Sequence, residues 1–319
     1  MVSSYLKIVY GDKLLSVHHI TAIPTMSLTE RYNGHDPLLR LQEAASLAGQ
    51  ISQSAVHKLL EYLGDEHPFV RWQAGVSLAE TARRLRRRAR LGAPTWDRKA
   101  PELTFSGLLL LLHRGLQDPD PRRRAATADA LALWGHEVAV GYLVQTLSDS
   151  DPTVRLSAAT ALGKLRDKAA TDALIKALED PSPWVRRAAA DALGAIADPK
   201  ATSALQKALD DREHLVRAGA VCALGHMQVS KARETLQRVA RNGDAALRWY
   251  AARGLGRIGD IGALPVLQRL QDDDTVFFGR STAEVATEAI LAIRKRCFGP
   301  WNALRRFFYG LRRWLEKRR

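Results

Sequence analysis

A chain of 319 residues, 46% of them hydrophobic and rich in Ala and Leu, has ample apolar material for a buried core and favours helices, which excludes disorder of the whole chain. Its two cysteines, Cys222 and Cys297, are too few and too far apart for a disulfide framework or a zinc site, and point to a reducing, cytosolic compartment. The net charge of +14 is concentrated, with residues 83–99 contributing +7, residues 294–319 contributing +9 and the remainder −2, so most of the chain lacks the cation surplus of a surface that grips nucleic acid.

In chain order, residues 1–26 are expected to be a flexible tail. Lys7 and Lys13 precede no apolar stretch of signal-peptide length, and Ser27-Leu28-Thr29-Glu30 after Met26 has the pattern of a helix start. Two readings of the segment before Met26 stay open, an unstructured tail or an overextended start. The longest apolar run, Leu108 to Leu112, is far shorter than a membrane span, so no integral span is expected.

Residues 27–296 carry a repeat of 31 residues. Its clearest copies begin at Asp149, Asp180 and Asp211 and align without gaps, each bringing a Val, an Arg, alanines and a Leu-Gly step into the same columns: Arg155, Leu162 and Gly163, then Arg186, Leu193 and Gly194, then Arg217, Leu224 and Gly225. Stepping by 31 also finds Arg124 with Leu131 and Arg248 with Leu255, while Arg40 with Leu47 and Arg71 with Leu78 form an earlier pair. The 53 residues between Arg71 and Arg124 are one period plus an insertion. This basic insertion, 83–105, opens with Arg83, Arg84, Arg86, Arg87, Arg88 and Arg90, extends a helix and then loops out past Gly92-Ala93-Pro94; it is either solvated or bound to something acidic. A last, degenerate copy from about Asp273 to Lys295 lacks the Arg and is four residues out of step.

Each unit reads as two helices separated by an Asp-Pro or Asp-Ser turn, the second with Val185, Ala189, Leu193 and Ile196 on one face, and the Leu-Gly step reads as a helix-end feature. One such hairpin cannot bury its apolar face alone, so the predicted fold is all-α: a right-handed α-solenoid of about eight stacked hairpins with an appended C-terminal helix. That helix, in residues 297–319, starts after Gly299-Pro300. It places Leu304, Phe307, Phe308, Leu311, Trp314 and Leu315 on one arc, with Arg305, Arg306, Arg312, Arg313 and Lys317 opposite. Trp301, Arg305, Arg306, Phe308, Arg312, Arg313 and Trp314 are its candidate contacts, to an anionic membrane surface or a partner's groove; the alternative is a cap on the last repeat.

An Asp stands six residues before most of the recurrent arginines: Asp65 and Arg71, Asp118 and Arg124, Asp149 and Arg155, Asp180 and Arg186, Asp211 and Arg217, with Asn242 before Arg248. In these columns the chain resembles the HEAT-repeat family, and within it the short, bilin-lyase-like repeats. The resemblance covers roughly Asp36 to Lys295 and implies that the Asp and Arg residues form a structural ladder between successive units.

Enzymes of similar scaffold set the chemical tests. Deoxyhypusine hydroxylase needs several His-Glu pairs for its irons, and one pair is present, His136-Glu137, which reads as a polar turn. A bilin lyase would want an apolar cleft with aromatic walls; Trp72, Trp184, Trp249 and Tyr250 lie at or beside the ladder columns, whereas Trp134 falls in a core column with Leu165, Ile196, Met227 and Ile258. The neutral repeats argue against an alkylpurine glycosylase, and there is no Ser/His/Asp order or phosphate loop. The expectation is therefore a non-catalytic scaffold or adaptor without a cofactor. It binds a protein through the concave face of its second helices, with Trp72, Arg187 and Trp249 as candidate contacts, in the cytoplasm or at the inner face of a membrane. The alternative is a bilin-lyase-like chromophore chaperone or a hydroxylase-related enzyme.

Overall fold

A Pro directly after an Asp or Ser opens four of the described α-helices, at Pro37, Pro121, Pro152 and Pro183, because the missing N–H of Pro costs nothing in a first turn, and where the preceding residue is Asp its side chain caps an amide that follows. In the computed structural model, which describes residues 36–90 and 103–298, Asp36, Asp120 and Asp151 each accept from the amide two residues on. Residues 1–35, 91–102 and 299–319 lie outside the described residues, and with them the N-terminal tail, part of the insertion and all seven candidate contacts of the C-terminal helix.

The chain divides into two compact units, one ending at Leu109 and one beginning at Leu110. The first holds α1 (Pro37–Ser46), α2 (Gln53–Tyr62) and α3 (Pro68–Arg90), with α1 and α2 both packed on α3 around Ala44, Val56, Leu59, Val70, Ala74 and Leu78. Helix α3 runs on to Arg90, through the arginines that open the insertion. Two hydroxyls inside this core are satisfied locally: Ser77 donates to the Ala44 carbonyl, and Thr81 accepts from the Gly49 amide and donates to the Ser77 carbonyl.

Helix α4 (Phe105–Gly115) crosses the boundary between the units. The second unit continues with α5 (Pro121–Trp134), α6 (Val138–Thr146), α7 (Pro152–Leu165), α8 (Thr171–Ala177), α9 (Pro183–Ile196), α10 (Thr202–Lys207), α11 (His214–Leu224), α12 (Ser230–Asn242), α13 (Ala245–Ile258), α14 (Leu264–Arg269) and α15 (Thr282–Phe298). It is an α-solenoid. The second helices of the hairpins, α5, α7, α9, α11, α13 and α15, pack each on the next, and the first helices α6, α8, α10, α12 and α14 form a layer on one side of them. The repeat register sets the core: Leu131, Leu162, Leu193, Leu224 and Leu255 from the second helices and Leu143, Leu174, Leu205, Leu236 and Leu267 from the first are all fully buried. Trp134 shares this interior with Ile196, Met227 and Ile258.

The glycine of the Leu-Gly step ends its helix in one copy, where Gly225 is the C-cap of α11, and has a different role in the two before it. Left-handed backbone falls three residues later, at Gly135, Arg166 and Ala197, which are again 31 apart. Gly163 and Gly194 stay helical and mark where neighbouring helices touch. A Cβ on Gly163 would meet the Ala192 Cα at 2.9 Å, and one on Gly194 the Ala223 Cα at 2.7 Å.

The last copy is out of step because a two-stranded hairpin interrupts it. Val276 and Phe277 pair antiparallel with Ser281 and Arg280 through a turn in which Phe278 (φ 52°) and Gly279 (φ 74°) are both left-handed, the conformation that matches the twist of paired strands. The sequence reading contains no strand here, because a hairpin of two-residue strands is too short for an alternating pattern to register.

Candidate binding face on the second helices

The recurrent arginines are engaged at both ends of the guanidinium. Arg186 donates from Nη1 to the carbonyls of Asp180 and Pro181 at 2.8 and 3.2 Å, and from Nε and Nη2 to the two carboxylate oxygens of Asp211 at 2.7 and 2.9 Å. Arg124 and Arg155 repeat this with Asp149 and Asp180, Arg248 bonds Asp273, and in the first unit Arg40 bonds Asp65. Asp65, Asp149, Asp180 and Asp211 therefore each lend a main-chain carbonyl to the Arg six residues later, while their carboxylates serve the Arg 25 residues earlier. Two members are weaker for reasons visible in the chain. Arg217 meets Asn242 where its carboxylate would stand and reaches Asp244 only at 3.9 Å. Arg71 bonds the carbonyls of Asp65 and Glu66, and the position 25 residues on is Trp96, inside the insertion.

These pairs shape the carboxylates. The Arg186 hydrogen bond, opposed by burial and helped by the Glu213 amide, holds Asp211 below the usual carboxylate range. Burial is the largest influence on Asp149, Asp180 and Asp273 and would raise them, but it is outweighed by arginine and backbone donors, so these too lie low.

Beyond the ladder, the second helices present side chains that change from repeat to repeat. One column carries Asp191, Cys222 and Arg253, another Ala195, His226 and Arg257. A groove of about 390 Å³ is lined by Arg166, Asp191, Gly194, Ala197, Cys222 and His226. Arg187 lies across α11 in the space left by Gly219, where a Cβ would come within 2.5 Å of its Cδ; it donates to the Leu215 carbonyl and to Asp191, both near 2.9 Å. Arg257 donates to His226 Nε2, and the Arg253 guanidinium sits 5.7 Å from the centre of the Trp249 ring. Burial first, then Arg257 and Arg253, hold the His226 imidazole below its usual range. Burial pushes the Cys222 thiol up against the pull of Arg187, so it is no ready thiolate.

The three residues proposed from sequence for this face occupy one column and three environments. Trp72 is 57% exposed and presents its ring to solvent. Arg187 is half-buried and committed to Asp191 and Leu215. Trp249 is 4% exposed, donates from Nε1 to the Arg280 carbonyl and is covered by Tyr250 and Phe278, so it supports the surface rather than forming it. The hairpin tip supplies an aromatic in its place, Phe278, 78% exposed. Asp191, Cys222, His226, Arg253, Arg257 and Arg166 were overlooked because attention to a repeat falls on constant columns; comparing the variable columns in the same register would have found all but Arg166. His136 accepts from the Val138 amide at the start of α6, and Glu137 is exposed. Among the described residues no three His, Cys, Asp or Glu side chains converge as a metal site, and no helix is long and apolar enough to cross a membrane.

A family model for HEAT repeats matches residues 107–178, 142–224 and 207–288. No curated protein sequence matches significantly. Among solved structures, YibA of Escherichia coli superposes with a TM-score of 0.55 at 19% identity, over 90% of this chain and 100% of that one, a likeness of fold. The complex of CpcE and CpcF of phycocyanin lyase from Nostoc sp. PCC7120 (TM-score 0.42, 23% identity, 74% and 86% covered) and human deoxyhypusine hydroxylase (0.34, 20%, 82% and 92%) are more distant in shape.

Proposed function

Because the chain belongs to the HEAT-repeat family, we propose that it is a non-catalytic scaffold or adaptor, whose second-helix face in the second unit holds an acidic segment of a partner protein. The observation that carries this reading is a division of labour among arginines. Those at the constant column are consumed by carbonyls of their own turn and, at all but Arg71 and Arg217, by a bonded carboxylate 25 residues on, whereas Arg166, Arg253 and Arg257, in changing positions, meet no carboxylate among the described residues. Side chains that vary along a regular scaffold are where such a protein places its specificity. The basic run on α3 and the amphipathic sequence of residues 301–319 support a second contact, with an anionic membrane surface on the cytoplasmic side.

A photo-crosslinking amino acid at position 253 is expected to trap one defined polypeptide in the native host, and the same group at Lys176, exposed on α8, is expected not to. Identical capture from both positions would remove the face from the account. For the membrane contact, vesicles containing anionic lipid should sediment the full chain and leave behind a version ending at Phe298; equal sedimentation would eliminate it.

A further inference from the structure

Along α13 the outward side chains change character from one end to the other. Tyr250, Arg253 and Arg257 are three and then four residues apart, so they share one stripe of the helix, with Tyr250 half-buried and both arginines exposed. At the tyrosine end the hairpin brings in Phe278. Its ring centre lies 6.3 Å from that of Tyr250, and the Phe278 and Tyr250 rings both meet Trp249, at 5.6 and 5.2 Å. Towards the other end Arg253 stands beside the same Trp249 ring, and Arg257 donates to His226, which can accept only as a neutral imidazole. Glu284 and Glu288, on the next second helix, are taken by Arg280. The stripe is therefore aromatic at one end and carries unmatched positive charge at the other.

Phe278 is the costly member of this surface. At φ 52° a bulky residue occupies backbone that Asn or Gly adopts more readily, and with 78% of its surface exposed it gains little burial over Trp249 in return. A large ring held bare at such a tip recovers its burial when another molecule covers it. We infer that the partner segment held by this face carries one large apolar side chain beside its acidic residues. The apolar group seats on Phe278 and Tyr250 while carboxylates bond Arg253 and Arg257. The spacing follows from the stripe, since Tyr250 and Arg257 are about 10 Å apart along the helix, or about three residues of an extended chain. The inference rests on the adaptor reading for the identity of the carrier, but the surface itself is testable without any partner.

The probe is a fluorescently labelled peptide, acetyl-Gly-Glu-Glu-Glu-Phe-Glu-Glu-Glu-Gly-amide, whose acids on both sides of the Phe allow either chain direction; the comparison peptide has Ser in place of Phe. Anisotropy is followed on the full chain in about 150 mM chloride, where only contacts within roughly a Debye length survive screening. The Phe peptide is expected to bind at least about fivefold more tightly than the Ser peptide, and that ratio should fall to about one in Phe278→Asn. Arg253→Gln/Arg257→Gln should weaken the Phe peptide by about fivefold or more. Asn accepts left-handed backbone, so Phe278→Asn should keep the hairpin and melt no lower than the wild type. A ratio near one on the wild type, a ratio unchanged in Phe278→Asn, or a lower melting temperature in that variant, which would make the ring a packing residue over Trp249, would each overturn the inference. Failure here would leave the crosslink from position 253 standing, and an absent crosslink would leave a Phe-dependent ratio standing.

Discussion

A guanidinium offers five N–H donors in a rigid plane, and four of its directed bonds are spent at each full ladder position, two on carbonyls of its own turn and two on the next repeat's carboxylate. The value of the arrangement therefore depends on the carboxylate as much as on the arginine. Arg186 and Asp211 are 7% and 13% exposed, so Arg186→Met strands a nearly buried carboxylate and two carbonyls; denaturant unfolding should show a loss of about 3 kcal/mol. Arg217, at 3.9 Å from an Asp244 that is 46% exposed, gives up little charge pairing, and Arg217→Met should cost about 1 kcal/mol. Equal losses at the two positions would mean that the carbonyl contacts, which both share, hold the ladder together.

At the scale of the helices, stacking is limited by how closely second helices approach, and that distance is set at the glycine column. Gly194→Ala would push a methyl group against the backbone of Ala223 and should destabilise by about 1 to 3 kcal/mol, even though Ala is the better helix former. Gly141, exposed on α6 with open space where a Cβ would go, is the matched control, and Gly141→Ala should stabilise by about 0.5 to 1 kcal/mol. Thermal unfolding of the pair checks this; a gain at both would show that α9 and α11 separate without cost. The hairpin at Val276–Ser281 belongs to the same scale. It lengthens the last repeat, covers Trp249 and puts Phe278 at the edge of the variable face.

For the molecule as a whole, the ladder makes stability depend on pH with a definite sign. Asp149, Asp180, Asp211 and Asp273 have folded-state pKa values below their unfolded ones, so the stability they contribute is complete above the unfolded value of about 4 and is lost as pH falls through the lower folded values. The melting temperature should therefore drop on acidification below about pH 5. The drop should be shallower in Arg155→Met, where Asp180 loses its guanidinium. A melting temperature independent of pH over that range, or an unchanged slope in the variant, would detach the ladder from acid stability. The net charge of +14 does not enter this dependence, since arginine and lysine keep their charge there; it bears on what the chain meets at its basic segments.

The repeat length, the two-helix unit and the core columns were legible in the residues alone, because each is a matter of local periodicity repeated many times: Leu131 and its equivalents had one place to go once hairpins stacked. The Asp and Arg columns were equally plain, but which carboxylate serves which arginine was not, since residues six and 25 apart are both available until the hairpin closes. Tertiary structure alone decided that Gly194 is a contact between helices and not a cap, that Trp249 is covered while Trp72 is bare, and that His226 and Cys222 share a groove with Arg166. The physical reason is that periodicity assigns a side chain to a face, whereas its exposure and neighbours depend on the repeat beside it, and there the sequence varies.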